Sequence, residues 1–407
     1  MTQHLCRHCG TPLEQTVIDL GHQPPSNAYL RPEQLALPEI TYPLRVFVCS
    51  NCWLVQLPAH AKAQELFTAD YAYFSSTSSS WCAHAEQFVA EAVERLGLGP
   101  QSLVVELASN DGYLLQYVQQ RDIPCLGIEP TTATAEVARS KGIPTLERFF
   151  GVELATQLDP ADLVVANNVL AHVPDINDFV AGIARLLKPQ GQASIEFPHL
   201  LRLLAGNQFD TIYHEHYSYL SLRVVQRIAA QAGLEVVDVE EVPTHGGSLR
   251  IWLTRSGVGE ISDKVEEVLA AEAAAGLETV TAYSGFQQRA ESAKHGLLEF
   301  LLHTKRKGHQ VMGYGAAAKG NTLLNYTGIR CDLLPAVVDR APSKQGKHLP
   351  GSHIPIISPE QFEIVADSLN TLLVLPWNLI SELRQQLPEY NLVTAIPLIQ
   401  YWPKQNP

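Results

Sequence analysis

From about Ser102 the chain alternates short apolar runs with longer amphipathic stretches. LVVEL is an apolar run bounded by turn residues, which predicts a buried strand, and DGYLLQYVQQ predicts the helix after it. CLGIE predicts a second strand, TTATAEVARSKG a helix, IPTLERFF a short third strand and DLVVANNV a fourth. A helix from about Ile176 to Lys188 and a fifth strand, GQASIEF, follow. Strands alternating with helices imply a parallel sheet covered on both faces. After a helix near Leu222–Ala232, LEVVDVEEV and SLRIWLTR predict two closing strands, one of them antiparallel, separated by the turn-like PTHGG. Residues 260–307 read as mostly helical. A second α/β unit then opens with the strand HQVMGYG and the helix AAAKGNTLLNYTG, and LLPAVVDR, TLLVLPW and VTAIPLI predict its further strands.

The first part of the chain, to about Pro58, is turn-rich. A bridge, ADYAYFSSTSSSWCAHAEQF, leads from it into the helical AEQFVAEAVERLGL. The serine cluster suits a linker, but the five aromatic residues from Phe67 to Trp81 argue for a packed segment. A length of 407 residues predicts two or three domains. With 46% hydrophobic and 17% charged residues the composition is globular. The net charge of −13 makes nucleic acid a poor partner. No signal-peptide core and no apolar run of about 18 residues is present, so the expectation is a cytoplasmic protein with no membrane partner. A monomer is expected, with an oligomer left open.

Four of the seven cysteines form two CxxC pairs, Cys6 with Cys9 and Cys49 with Cys52. Each tight turn can aim two thiolates at one tetrahedral ion, and two such turns complete a closed four-cysteine site. In a reducing compartment the pattern predicts structural zinc rather than disulfides.

The segment VVELASNDGYLL predicts a strand, a narrow turn and a helix. Ala108, Ser109 and Gly112 keep the turn small. Backbone donors around Asn110 and Asp111 suit a ligand carboxylate, and Glu106 at the strand end could meet a sulfonium or an ammonium. The pattern is not GxGxxG, which weakens a dinucleotide reading. Glu129 ends the next strand, where an acid can take the ribose hydroxyls of any adenosine ligand. Its plainer alternative is an ordinary strand-end acid. Asn167 and Asn168 close the fourth strand at the ligand edge, with His172 just beyond. These features predict a site for an adenosine ligand such as S-adenosylmethionine (SAM), and Glu129 alone does not separate SAM from NAD.

YHEHYSYLS places Tyr213, His214, Glu215, His216, Tyr217 and Tyr219 in the loop after the fifth strand, also at that edge. Histidine and tyrosine can move protons. The triplet lacks the HExxH spacing of a helical metal site, so proton transfer is favoured over a metal or a packing cluster.

CRHCG…CSNCW, VVELASNDGYLL, NNVLAHVPD, YHEHYSYLS, THGGSLRIW and GYGAAAKGNTLLNY occur in this order. Together they resemble the SAM-dependent sugar C-methyltransferases of deoxysugar pathways, which methylate a nucleotide-linked 4-keto-deoxysugar, most often at carbon 3. The resemblance covers essentially the whole chain. It implies a class I Rossmann-like SAM domain (67–258) between an N-terminal zinc-binding domain (1–66) and a C-terminal α/β Rossmann-like domain (259–407), with the nucleotide sugar in the cleft between them. It also implies active-site roles for Tyr213, His214, Glu215, His216 and His172, and for a bridge tyrosine that falls on Tyr71 or Tyr73. Ala108 departs from the pattern, where a glycine is expected.

A carbon beside a ketone loses its proton only to a nearby base, with the enolate stabilised. His216 is the expected base, Tyr213 the donor to the enolate oxygen, and Glu215 a residue that orients a histidine. Whether Tyr213 or His216 takes the proton stays open. In the Gly-rich turn, Lys319 and Asn321 are expected at the substrate diphosphate; the alternative is a packed strand-to-helix turn. Asp339 resembles a ribose acid, which keeps an NAD-dependent oxidoreductase among the alternatives. The others are an O- or N-methyltransferase and a non-catalytic zinc-bearing RNA or protein binder.

Overall fold

The computed structural model describes residues 4–66, 74–365 and 371–405. The expected tyrosines Tyr71 and Tyr73 lie outside the described residues.

The central sheet has seven strands. In spatial order they are Leu234–Val242, Ser248–Arg255, Leu187–Pro198, Ala161–Asn167, Val104–Leu107, Cys125–Ile128 and Thr145–Leu146. The last five run parallel, and Ser248–Arg255 is antiparallel to both its neighbours. Val104, Val105 and Leu107 are all buried, as a parallel strand covered on both faces requires. The helix Ile176–Leu186 buries Ile176, Phe179, Val180, Ile183 and Leu186, one stripe at helical spacing, and Asp175 caps it by accepting from the Asp178 amide at 3.0 Å.

The helix expected over DGYLLQYVQQ is shorter, Leu115–Gln119. Asn110 (φ +51°) and Gly112 (φ +76°) hold the preceding residues in turns. A Cβ at Gly112 would stand 2.4 Å from Ile143 Cδ1, so only glycine fits. One turn of helix does not supply the dipole that the sequence suggested. From Phe74 onward the serine-rich part of the bridge is packed: Ser75 is buried, and Ser78 caps the helix Ser79–Leu96, accepting from the Trp81 amide at 3.2 Å. Ala108, where a glycine was expected, has φ +54°, a conformation that suits glycine better than alanine.

The N-terminal sheet joins Gln15–Gln23, Tyr42–Val48 and Val55–Gln56 to a fourth strand, Ser218–Tyr219. That strand belongs to YHEHYSYLS, so the proposed catalytic loop is stitched to the zinc-bearing region through Val55↔Tyr219 and Gln56↔Ser218. The C-terminal sheet runs Ile356–Ile357, Val337–Val338, Val311–Tyr314, Thr371–Val374, Asn391–Thr394 and Gln400–Trp402, parallel except for the last strand. One apolar cluster continues from Val17, Leu44 and Leu57 through Phe209 and Ile212 to Leu297, Leu323 and Val337. The N- and C-terminal sheets therefore share a core, which fixes the walls between them. Among the described residues no helix is long and apolar enough to cross a membrane.

Glu272 ties the helical region to the central domain. Its carboxyl oxygens accept from the Leu222 amide (2.6 Å), the Arg223 amide (3.0 Å) and His199 Nε2 (2.8 Å), and Glu272, Leu222 and His199 are buried. Glu272→Ala leaves two helix-start amides and a buried imidazole without that partner. A loss of about 3–5 kcal/mol of stability is expected, read as a lower urea midpoint. A midpoint within about 0.5 kcal/mol of wild type would show that water replaces the carboxylate.

Candidate active site

The four cysteine sulfurs converge to within 4.8 Å of one another, with Cys6–Cys52 and Cys9–Cys49 each at 3.5 Å. A tetrahedral ion with Zn–S bonds of about 2.3 Å needs sulfur separations of roughly 3.8 Å, so the geometry fits zinc. Gln56 Nε2 donates to Cys6 Sγ at 3.1 Å, an outer-shell contact of the kind that steadies a metal-bound sulfur. Residues between Cys6 and Cys9 reach beyond the ion. Arg7 donates to the Pro174 carbonyl at 2.8 Å and to the Leu57 carbonyl. His8 and Asn177 exchange two contacts of 2.8 Å. The knuckle thus grips the segment that follows His172.

A cavity of about 370 Å³ opens where the three regions meet. Asn27 and Ala63 come from the N-terminal region, Ser75 and Trp81 from the bridge, and Ala317, Lys319 and Lys344 from the C-terminal domain. Ala108, Asn110, Glu129, Asn167, Asn168 and His172 line it from the central sheet. Glu129 accepts from the Asn110 amide (2.9 Å) through one oxygen and from the Thr131 amide (2.9 Å) through the other, and burial raises its pKa. The Asn167 side-chain oxygen and both polar side-chain atoms of Asn168 are buried without a protein hydrogen bond, which suits a polar ligand at this edge.

Glu106, Ser109, Asp111 and Gly112 are not on the cavity surface. Glu106 is buried beneath the turn, and desolvation pushes its carboxyl well above the usual range, against the Tyr113 hydroxyl. Asp111 instead fastens the bridge, accepting from the Ser76 amide at 3.3 Å and from the Ser76 hydroxyl. The Ser75 amide donates to Asn110 Oδ1 at 2.9 Å. These residues shape the loop and join it to the serine cluster.

The loop YHEHYSYLS divides its residues. Tyr213 and His216 line the cavity; His214 and Glu215 do not. The Tyr213 ring lies 3.9 Å from the His216 ring, and the His172 ring meets His216 edge-on at 4.6 Å. His216 Nδ1 sits 2.8 Å from the Thr211 carbonyl oxygen, which can only accept. The neutral ring must therefore carry its proton on Nδ1, leaving the Nε2 lone pair as the base. Burial, and then His172, hold the His216 pKa well below the ordinary histidine value. Burial likewise lowers His172 to about 4. The Glu215 carboxyl meets no histidine among the described residues: it accepts from the Asn27 amide (3.2 Å) and side chain (3.1 Å), clamping the N-terminal domain, while the Glu215 backbone hydrogen-bonds His172. His214 packs on Tyr42 at 5.7 Å.

On the C-terminal wall, Lys319 enters the cavity from the start of the helix Ala318–Thr327. Its ammonium donates to Asn378 Oδ1 at 2.7 Å and lies 4.7 Å from the Trp377 ring. Asn321 stands off the cavity and donates to the Ser26 carbonyl at 2.9 Å, so it anchors the N-terminal domain. Asp339 accepts from the amides of Ala316 (2.7 Å) and Ala341 (2.8 Å), which commits it to bracing the Gly-rich turn. A Cβ at Gly320 would stand 2.6 Å from Leu375 Cβ, so this glycine serves packing.

Sequence reasoning missed Lys344, a second cavity cation, and Asp210, whose carboxyl accepts from Trp377 Nε1 at 2.7 Å. Burial raises Asp210 to about 6, against Lys319 and Trp377. It also missed His245. Only the HGG triplet, a bulky residue beside two glycines in a turn, hinted at an unusual backbone there.

Three family models match the chain in succession: a zinc binding domain over residues 6–67, a methyltransferase domain over residues 81–239 and a C-methyltransferase C-terminal domain over residues 243–397. The chain is 36% identical over 390 residues to the C-methyltransferase NovU of Streptomyces niveus, spanning 95% of this chain and 92% of that protein. Among solved structures, magnesium protoporphyrin IX methyltransferase (ChlM) of Synechocystis PCC 6803 with bound SAM is similar at 16% identity, over 42% of this chain and 79% of its own, with a TM-score of 0.33. The PH0226 protein of Pyrococcus horikoshii OT3 is similar at 14% identity, over 46% of this chain and 95% of its own, with a TM-score of 0.38.

Proposed function

This chain belongs to the SAM-dependent C-methyltransferase family, and on that premise we propose that it methylates the carbon beside the ketone of a nucleotide-linked 4-keto-deoxysugar, at carbon 3. The observation that carries this reading is His216. It is a neutral imidazole with its proton fixed on Nδ1, set beside Tyr213 and His172 on a cavity wall. A carbon acceptor needs such a base; its C–H is inert otherwise. His216 Nε2 takes the carbon 3 proton, the C–H electron pair forms a carbon–carbon double bond, and the carbonyl pair moves onto oxygen. Tyr213 donates toward that oxygen or assists the base. Lys319 and Lys344 face the same cavity and suit the substrate's diphosphate.

SAM, when bound, supplies an electrophilic methyl group on a good leaving group. Glu129 would take its ribose hydroxyls, and Asn167 and Asn168 would complete the polar edge. Glu129→Ala removes that acceptor and the brace on Asn110 and Thr131 together. SAM affinity is expected to fall by about tenfold or more, since a hydrogen bond to a charged group is worth about 1.5–3 kcal/mol. Calorimetry showing unchanged affinity would remove Glu129 from the site.

The thiolate zinc site fits a reducing, cytoplasmic setting. The function is tested by incubating the protein with SAM and a panel of nucleotide 4-keto-6-deoxysugars, followed by mass analysis. Gain of one methyl on a panel member is expected; no gain on any of them would refute the substrate class.

A further inference from the structure

The turn joining the last two strands of the central sheet holds a third cavity histidine, His245, in costly backbone geometry. His245 has φ +54°, followed by Gly246 at +93° and Gly247 at +115°. A histidine is held in the left-handed region only where its surroundings over-determine it, and such places cluster at functional sites. The turn is clamped on several sides. Thr244 Oγ1 donates to Glu196 at 2.8 Å, and Glu196 is itself held by His84 and Arg250. Gln208 Nε2 donates to the Gly246 carbonyl (2.8 Å), and the His199 amide to the Gly247 carbonyl (3.0 Å). A Cβ on Gly246 would come within 2.6 Å of Trp377, and one on Gly247 within 2.8 Å of Arg202.

This clamp holds the His245 ring on the cavity wall. The His245 imidazole packs against Trp81 at 5.3 Å and lines the cavity with Tyr213, His216 and Lys319. Neither of its nitrogens is hydrogen-bonded to a described residue. Burial, with Lys319 adding to it, lowers its pKa to about 4, so the ring is neutral and one nitrogen carries a hydrogen to donate.

We propose that His245 is a catalytic residue, its neutral imidazole donating a hydrogen bond to the substrate's ketone oxygen as negative charge gathers there. The assignment rests on the ketone-adjacent acceptor proposed for this cavity. His216 Nε2 receives the carbon-bound proton, the released pair becomes the carbon–carbon double bond, and the carbonyl pair moves to the oxygen that His245 holds. The carbon–carbon double-bond pair then forms the bond to the methyl carbon, the sulfur–methyl bond breaks with its pair leaving on sulfur as S-adenosylhomocysteine, and the oxygen pair returns to re-form the ketone. His245 thus keeps its own proton throughout.

His245→Asn is the informative variant, because asparagine tolerates positive φ but is too short to reach. His245→Gln restores an N–H donor. Two rates are read on nucleotide 4-keto-6-deoxysugars: methylation with SAM, and exchange of the carbon 3 proton with deuterated water when S-adenosylhomocysteine replaces SAM. Both are expected to fall in parallel in His245→Asn, by about 100- to 1,000-fold as for loss of an oxyanion donor, with partial recovery in His245→Gln. SAM affinity by calorimetry should stay near wild type. Near-wild-type turnover in His245→Asn would overturn the assignment. So would wild-type exchange beside slowed methylation, which would place the residue at methyl transfer instead. If the wild-type protein neither exchanges nor methylates any of these sugars, the ketosugar reading itself fails and His245 loses its role with it.

Discussion

Replacing His216 with asparagine should lower methyl transfer by about 100- to 10,000-fold, the range of a general base, while SAM affinity stays near wild type. Glu129 and the paired asparagines, not His216, are the residues proposed to hold SAM, so the two effects should separate. The Thr211 carbonyl fixes the tautomer. Because burial and His172 depress its pKa, the base remains unprotonated well below the ordinary value of about 6.5. Turnover limited by His216 should therefore hold steady as pH drops through that value and fail only at more acidic pH. Tyr213→Phe should cost less than His216→Asn. The reverse ranking, with His216→Asn nearly fully active and Tyr213→Phe dead, would make the phenol the base, with His172 the next residue to test.

Loss of zinc should have the second large effect, and it should reach the active site. Cys6, Cys49 and Cys52 belong to the same buried cluster as Val105, Leu170 and Ile195 of the central domain. Arg7 and His8, between the ligands, hold Pro174 and Asn177 next to the His172 turn. Structural zinc contributes about 10–16 kcal/mol of apparent binding energy in small domains, so Cys49→Ser should strip the metal and sharply lower the thermal midpoint. Metal analysis should give one zinc per wild-type chain and none bound tightly in the variant. Asn177→Ala keeps all four sulfurs and should retain zinc, yet slow turnover several-fold by loosening the His172 segment. A zinc-free Cys49→Ser protein with the wild-type midpoint would show that the sulfurs support no metal that matters to the fold.

Much of this fold is legible in the chain because its signals are local. The apolar runs LVVEL and DLVVANNV and the helix stripe from Ile176 to Leu186 need no tertiary information, and paired CxxC turns point to one ion from spacing alone. The site is legible only in outline. Tyr213 and His216 flank His214 and Glu215, and no pattern in YHEHYSYLS says which of them face the cavity. The strand pairing of Ser218–Tyr219 with Val55–Gln56 decides it, and that is a long-range contact. Glu215 and Asn321 carry chemistry suited to a site but spend it on Asn27 and Ser26, tying the domains together. Lys344 and His245 escaped for the opposite reason: both lie outside the predicted strands and helices, and only folding brings them to the wall.

The most direct test of a carbon acceptor beside a ketone is to locate the transferred group. The protein is given SAM with an isotopically labelled methyl and a nucleotide 4-keto-6-deoxysugar in deuterated water, and the product is examined by NMR. The label is expected on a new carbon–carbon bond at carbon 3, next to an intact ketone. A label on oxygen or nitrogen, or on a carbon not adjacent to the ketone, would contradict base-driven enolate chemistry in this cavity.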